Sequence, residues 1–270
     1  MKWIACLLVF LSTFYSCCQK MDSDYFEEGL NFYEEKNYDL ASERFQYIVN
    51  HYAGSDYYED AVYNLGIIFM LDEEYSNAIN TFLFILKSDV EDTKYIGGDI
   101  MSNPFANYKH KSASCLYSVY YKLEKYDSAL IYLSYSDSLY PLQSSCGNEI
   151  EEYVTDRAIC YADVYAKLGE KSKSISSLLA AVWGPYSENR KPIELLKELL
   201  QEEPSVLKEF EKSIKKMKMI RNDGNCLFVL QFRETNLVVP SYFSHGKKCN
   251  RKFVLKAIKK SELYQMFESL

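Results

Sequence analysis

The chain has 270 residues, of which 48% are hydrophobic and 26% are charged. This balance is ordinary for a globular protein and excludes disorder over most of the length. Only 10 residues are glycine, and no glycine-rich loop of the kind that cradles a phosphate group occurs. The net charge of −7 is unevenly divided, because residues 204–270 carry +8 and the residues before them carry −15. This asymmetry indicates either that the basic tail docks on the acidic part or that it contacts an anionic surface.

The first 16 residues have the anatomy of a signal peptide. Lys2 supplies a positive start, residues 3–15 are almost continuously apolar, and Ser16 precedes Cys17. The apolar stretch is shorter than the roughly 20 residues that span a bilayer. A small residue before a cysteine resembles the lipobox of bacterial lipoproteins, which implies cleavage after Ser16 and acylation of Cys17. A plain secretory signal, a free thiol at Cys17 and an anchor at Cys18 remain the alternatives.

The next part of the chain repeats one pattern at a spacing of 37 residues. Gly29, Phe32, Tyr38, Ala41 and Phe45 recur as Gly66, Phe69, Tyr75, Ala78 and Phe82. A small residue in one helix opposite a large residue in the next predicts a self-packing helical hairpin. Such a hairpin cannot bury its apolar face alone, so we expect copies to stack as an all-α solenoid with a concave surface.

Two looser copies of the pattern follow. Ala129 in a third helical pair and Ser174 in a fourth stand where Ala41 and Ala78 stand in the first two. The four positions are 37, 51 and 45 residues apart, and inserted loops account for the excess over a 34-residue period. Four consecutive helical pairs are therefore expected between residues 25 and 185.

The last quarter of the chain is expected to differ from the array. Pro192 and Pro204 each open a helix, and we interpret these two helices as a degenerate fifth pair that ends at residues 222–224. Residues 226–232 and 236–243 are β-branched and aromatic runs around a short polar turn, which predicts a β-hairpin. Residues 253–258 fit either a third strand or a helix, and Ser261 is placed to cap a final helix.

The predicted organisation is a signal peptide over 1–16, a tether over 17–24, a tetratricopeptide-like helical array over 25–221 and a small α+β element over 222–270. The repeated residues resemble the tetratricopeptide repeat, closely over 24–90 and more loosely over 108–141 and 155–186. The run from Tyr25 to Phe82, with its Tyr52-Ala53-Gly54-Ser55 turn, is similar to the helical-repeat lipoproteins of the outer-membrane β-barrel assembly machine. This resemblance implies a non-enzymatic adaptor of the bacterial cell envelope, anchored at the outer membrane, that binds envelope proteins or peptides and assists outer-membrane protein assembly.

The resemblance also implies a binding groove. In peptide-binding members of the repeat family, fixed positions on the first helix of each pair line the concave surface. Carried onto this chain, those positions include Phe26, Leu30, Tyr33, Tyr63, Ile67, Met70 and Tyr121, which we select as the predicted groove residues. A helical or extended partner segment laid against this patch is the implied mode of binding. The alternative is that the same side chains are buried against neighbouring helices or against the tail.

No arrangement for catalysis stands out, and no cofactor, metal site or nucleic-acid partner is predicted. His51 lies at a helix end, and His110 opens a helix and is expected at the surface. His245 and Cys249 lie four residues apart, but no orienting partner for a nucleophile is visible.

The C-terminal element carries two further predictions. Cys226 and Cys249 flank the expected hairpin and are the best candidates for a disulfide in an exported chain. Lys247, Lys248 and Arg251 belong to a basic set that suits capture of an anionic ligand or a glycan. Such capture is the alternative function to a protein-binding adaptor.

Overall fold

The computed structural model describes residues 20–97, 103–183, 191–201, 203, 205–222, 225–239 and 250–270. The predicted signal peptide, Cys17, His245, Lys247, Lys248 and Cys249 lie outside these residues. Within the described ranges, no helix combines the length and the apolar character that crossing a membrane requires.

Most of the described chain is helical, with twelve helices in these ranges. Their bounds are α1 Asp22–Glu34, α2 Tyr38–His51, α3 Tyr58–Leu71, α4 Tyr75–Lys87, α5 Tyr108–Lys122, α6 Tyr126–Ser138, α7 Gly147–Lys167, α8 Lys171–Ala181, α9 Lys191–Leu200, α10 Val206–Lys215, α11 Arg251–Ile258 and α12 Glu262–Glu268. Helices α1 to α8 pack as four consecutive pairs, and a three-residue turn joins the two helices of each pair. The predicted helical pairs are therefore confirmed.

The repeated glycine explains how closely the helices of the first two pairs approach. A Cβ atom added to Gly29 would lie 2.7 Å from the Phe45 ring, and one added to Gly66 would lie 2.6 Å from the Phe82 ring. Both rings are fully buried, so they cannot swing away to make room. The glycine and the phenylalanine thus form one packing unit, and the same unit occurs twice.

In the third and fourth pairs, side chains of other sizes fill the two positions that glycine and phenylalanine occupy in the first two pairs. Tyr117 and Leu133 occupy the two positions in the third pair, and Ala162 and Leu178 occupy them in the fourth. In both pairs the residue on the first helix is larger than glycine, and the residue on the second helix is smaller than phenylalanine. The Ser174 hydroxyl donates to the Ala162 carbonyl at 2.7 Å, which ties α8 to α7 and satisfies a buried polar group.

Three strands form the C-terminal sheet. Strands β1 Lys218–Asn222, β2 Asn225–Phe232 and β3 Thr235–Val239 pair antiparallel in the order β1-β2-β3. The predicted hairpin is confirmed as β2 and β3. The prediction that helix continues to residues 222–224 is wrong, because α10 ends at Lys215 and β1 pairs with β2.

Two open points after the sheet are decided by the structure. Residues 253–258 lie within α11, so the helical alternative for this segment is correct. Ser261 caps α12, because its hydroxyl oxygen accepts a hydrogen bond from the Tyr264 amide at 3.4 Å.

The C-terminal element and the end of the helical array share one hydrophobic core. The Phe210 ring of α10 lies 5.1 Å from the Phe232 ring of β2 and 4.9 Å from the Phe267 ring of α12. Leu178 of α8 and Leu200 of α9 belong to the same buried cluster. The C-terminal element therefore docks on the end of the array through apolar contact.

Candidate functional site

The first helices of the four pairs contact one another in chain order. The Phe26 ring of α1 stacks at 4.9 Å on Tyr57, immediately before α3. The Tyr63 hydroxyl of α3 lies 3.8 Å from the Cys115 sulfur of α5. The Arg157 guanidinium of α7 lies 5.9 Å from the Tyr117 ring centroid of α5. We call the surface formed by α1, α3, α5 and α7, which carries the seven predicted groove residues, the A-helix face.

The side chains of the predicted groove residues are packed to different degrees. Leu30 is exposed, with 38% of its surface accessible. Phe26 and Tyr33 are partly buried against the core of the first pair, and Ile67 and Met70 against the core of the second. The remaining two, Tyr63 and Tyr121, are also partly buried and contact neighbouring rings. The A-helix face is therefore a largely packed aromatic surface from which Leu30 protrudes.

A half-buried polar cluster lies where α3 meets α5. The Lys111 ammonium group lies 5.9 Å from the Tyr63 ring centroid and 5.7 Å from the Tyr108 ring centroid, and Asp60 interacts electrostatically with both Tyr108 and Lys111. Burial raises the pKa of Asp60, although Tyr108 and Lys111 oppose the change. Burial lowers the pKa of Lys111, and the Asp60 charge opposes that change in turn. Each of the two charges therefore stabilises the ionised form of the other.

Two cysteines of the same face pair with tyrosines of a neighbouring helix. Cys115 of α5 contacts Tyr63 of α3, and Cys160 of α7 interacts with Tyr117 of α5. Both cysteines are free of disulfides. Burial raises the pKa of the Cys115 thiol to about 11, so this thiol stays protonated and is a poor nucleophile at neutral pH. No group of three side chains suited to a metal ion is found in the described ranges.

A second polar cluster joins α6 to α7. The buried Arg157 donates from Nε to Asp137 Oδ1 at 2.9 Å and from Nη2 to the Ser136 hydroxyl at 2.5 Å. The Tyr153 and Tyr161 hydroxyls donate to Asp137 Oδ1 and Oδ2 at 2.5 and 2.6 Å. Sequence reasoning missed this cluster, although Tyr153, Arg157 and Tyr161 recur every four residues and so share one face of α7. We call these five residues the Asp137 cluster.

His110 is buried, so the prediction that it lies at the surface is wrong. Its Nδ1 atom lies 2.8 Å from the Tyr140 carbonyl and 3.1 Å from the Ser136 carbonyl, and it donates to these oxygens. The edge of its ring faces Tyr153 at 5.2 Å. The imidazole thus ties α5 to the end of α6. His51 is exposed at the end of α2, and its Nδ1 atom lies 2.9 Å from the Tyr47 carbonyl.

The second helices of the first three pairs expose an aromatic ring at one repeated position. Tyr47 of α2, Phe84 of α4 and Tyr135 of α6 each lie six residues after the repeated alanine of their pair, which is Ala41, Ala78 or Ala129. All three are exposed, Phe84 with 53% of its surface accessible. These rings form a second apolar surface, distinct from the A-helix face, that the groove prediction did not include.

One of the C-terminal residues proposed for anion capture, Arg251, is already hydrogen-bonded within the fold. The Arg251 guanidinium donates to the carbonyls of Met217 and Lys215 at 2.8 and 2.9 Å, where it satisfies backbone oxygens after α10. It is therefore not a free ligand-binding group. Cys226 is disulfide-bonded. Because Cys249 lies outside the described residues, the predicted Cys226–Cys249 pairing stays a prediction.

No protein-family model matches the chain, and no curated protein matches it. The function therefore has to be argued from the geometry of the described residues and from the repeated sequence pattern.

Proposed function

We propose that the protein is a non-enzymatic scaffold of the bacterial cell envelope, in which a solenoid of tetratricopeptide-like helical pairs binds a partner segment on the A-helix face. The partner is an envelope protein or peptide, and assembly of outer-membrane proteins is the process to which the resemblance points. The chain is held at the outer membrane by a lipid on Cys17.

The observation that carries this proposal is the unbroken sequence of contacts between the first helices of successive pairs. Contacts of Phe26 with Tyr57, of Tyr63 with Cys115 and of Tyr117 with Arg157 link α1, α3, α5 and α7 in chain order. Repeats stacked in this way present equivalent positions at regular intervals, which suits recognition of an elongated segment. No comparable regular surface is needed for a small substrate.

The chemistry of the face suits a segment with both apolar and charged side chains. Leu30 offers an exposed apolar contact, and Ile67 stands at the equivalent position of the next pair. The half-buried Asp60 of α3 and Lys111 of α5 belong to helices of the same face and provide charges of both signs. Charges that are already desolvated favour selective pairing, because a mismatched partner would leave one of them unsatisfied.

Site-specific photo-crosslinking in intact cells tests the binding face. A photoreactive amino acid at Leu30 or at Ser118, a partly buried residue of α5, places the probe on an A-helix, and one at Phe84 or Ile131 places it on exposed residues of α4 and α6. We expect protein adducts from the first two positions only. Adducts that arise only from positions 84 and 131 would assign binding to the second helices and reject the proposal.

A matched pair of variants checks the same face by affinity. Leu30→Arg introduces a charge at an exposed position of the A-helix face and should abolish co-purification of the crosslinked partner. Phe84→Arg makes the same change at an exposed position of α4 and should leave co-purification intact. Both side chains are exposed, so neither substitution should impair folding.

The lipid anchor has its own test. Mass spectrometry of the mature protein should find an acylated cysteine, Cys17, as its first residue. An unmodified Cys17 would reject the anchor and leave the proposal about the binding face unaffected.

A further inference from the structure

A cavity of about 520 Å³ lies between α6, α7 and α8. Its walls are mainly apolar, and Ile150 and Val154 at its edge are both exposed. Asp137, Tyr153, Arg157 and Tyr161 contribute its polar part. The volume falls within the range of pockets that bind organic molecules, roughly 300–1,000 Å³.

The junction that contains the cavity is built differently from the earlier ones. Between the first and second pairs and between the second and third, aromatic side chains such as Tyr57 and Tyr108 pack into the interface. Between the third and fourth pairs the tyrosines of the interface bond to an ion pair in the Asp137 cluster, and the small side chains of Ala158 and Ala180 line the remaining space. Space is therefore left open beside a fixed polar group.

The hydrogen bonds of the Asp137 cluster define what a ligand would meet. Among the described residues, Asp137 Oδ1 accepts from Tyr153 and Arg157, whereas Oδ2 accepts from Tyr161 alone. A carboxylate oxygen has two lone pairs, so Oδ2 keeps one for a further donor. The Asp137 side chain lines the cavity and retains 29% of its accessible surface.

The charge of the cluster argues against an ionic ligand. Arg157 and Asp137 form an ion pair, so the polar end of the cavity carries no net charge. The Arg157 guanidinium is also enclosed by the rings of Tyr117, Tyr153 and Tyr161 at 5.6 to 5.9 Å. The cavity thus combines apolar walls, tyrosine rings and one carboxylate acceptor.

We propose that this cavity binds a neutral aromatic group with one hydrogen-bond donor, of the phenol or indole class. The ring packs between the apolar walls and the rings of Tyr153 and Tyr161, and its O–H or N–H donates to Asp137 Oδ2. The group belongs either to a free small molecule or to a tyrosine or tryptophan side chain of a polypeptide. None of the seven predicted groove residues lines this cavity, and the proposal does not rest on the scaffold function.

Ligand-observed NMR on the full mature chain tests the proposal with three probes. These are p-cresol, toluene and the blocked tripeptide acetyl-Gly-Tyr-Gly-amide. Toluene has the same ring as p-cresol but lacks the donor, so it should bind at least about 10-fold more weakly. Stronger binding of p-cresol than of the tripeptide identifies a free molecule as the source, and the reverse identifies a side chain.

Two tryptophan variants of α8 locate the binding. Ala180 is exposed at the edge of the cavity, so Ala180→Trp should fill it and reduce p-cresol affinity at least 10-fold. Ser172 is exposed on the same helix and does not line the cavity, so Ser172→Trp is the matched control and should bind as the unmodified chain does. Absence of binding by both donor-bearing probes, or equal affinity for toluene and p-cresol, overturns the proposal without any variant.

Discussion

The turn inside each of the four helical pairs contains one residue in the left-handed region. Lys36, Glu73 and Glu124 have φ angles of 59°, 61° and 57°, and Gly169 has a φ of 76° at the equivalent place. Only the fourth turn therefore uses the residue that adopts this conformation without steric cost. The first three turns keep a strained side chain at an exposed position.

This strain can be relieved. We expect Glu124→Gly to raise the free energy of unfolding by about 0.5–1 kcal/mol, because glycine removes the clash of Cβ with the backbone. Gly169→Ala should lower it by about 1 kcal/mol for the opposite reason. Urea denaturation measures both. The neighbouring Lys125 has a φ of −89°, so Lys125→Gly is the control and should not stabilise the protein.

The close contact between Gly66 and Phe82 makes a second residue-scale prediction. Gly66→Ala should destabilise the protein by about 1–3 kcal/mol, because the added Cβ would lie 2.6 Å from a buried ring. Adding Phe82→Leu should recover part of this loss, since the fourth pair holds Ala162 and Leu178 at the same two positions. A double variant that is less stable than the sum of the two single changes would contradict the packing argument.

At the scale of elements, Glu203 connects three parts of the fold. Its carboxylate binds Lys171 at the start of α8 at 3.0 Å and also pairs with Arg233 in the turn between β2 and β3. Burial alone would raise the pKa of Glu203, but hydrogen bonds from Arg233 and Lys171 outweigh it and lower the pKa below its usual 4.5. The carboxylate form is therefore favoured by the folded state.

A depressed pKa means that Glu203 stabilises the fold above pH 4.5 and loses this effect as the pH falls through its folded-state pKa. We expect Glu203→Gln to lower stability at pH 7 by roughly 0.5–1 kcal/mol, because solvent screens this ion pair and surface pairs rarely contribute more. The difference from the unmodified chain should shrink below pH 4.5. Thermal denaturation at pH 7 and pH 3.5 measures it, and an unchanged difference would show that the pairing does not operate through charge.

The helical pairs could be predicted because their signal is local. The glycine, the aromatic residues and the alanine of each pair lie within one hairpin, so the pattern shows on the chain itself. The β2–β3 hairpin could be predicted for the same reason. Strand β1 was not, because Leu207, Phe210, Ile214 and Met217 continue a helical spacing up to its first residue, and its strand conformation depends on pairing with β2.

The Asp137 cluster was missed for a related reason. Arg157 and Asp137 lie 20 residues apart on different helices, and either one alone resembles a charge on a solvated helix surface. The carbonyls that hold His110 lie 26 and 30 residues further along the chain, so its burial was equally hidden. The sequence spacing on α7 could indicate a shared helix face, but it does not identify partners on another helix, and only the folded chain reveals them.

At the scale of the whole molecule, the two ends of the chain differ in how far their cores extend. The first pair buries Ala41, Phe45 and Ile48 with residues of α3, its next neighbour. The C-terminal core instead runs through α8, α9, α10, the sheet, α11 and α12. We therefore expect stability to be local at the N-terminal end and the C-terminal core to unfold as one cooperative body.

This difference bears on the predicted boundary between residues 221 and 222, since an independent element there could be removed without loss to the array. A chain that ends at residue 215 lacks the sheet, α11 and α12, and it would expose Leu196, Leu200 and Phe210, which are fully buried in the intact protein. We expect hydrogen exchange of this variant to become fast across α8, α9 and α10 and to stay unchanged in α1 to α4. The reciprocal deletion of residues 22–52 should accelerate exchange in α3 and leave α8 to α10 protected. Protection of α9 and α10 in the shortened chain would instead mean that the C-terminal element is a separate domain, and that the apolar core it shares with the array contributes little to holding the array together.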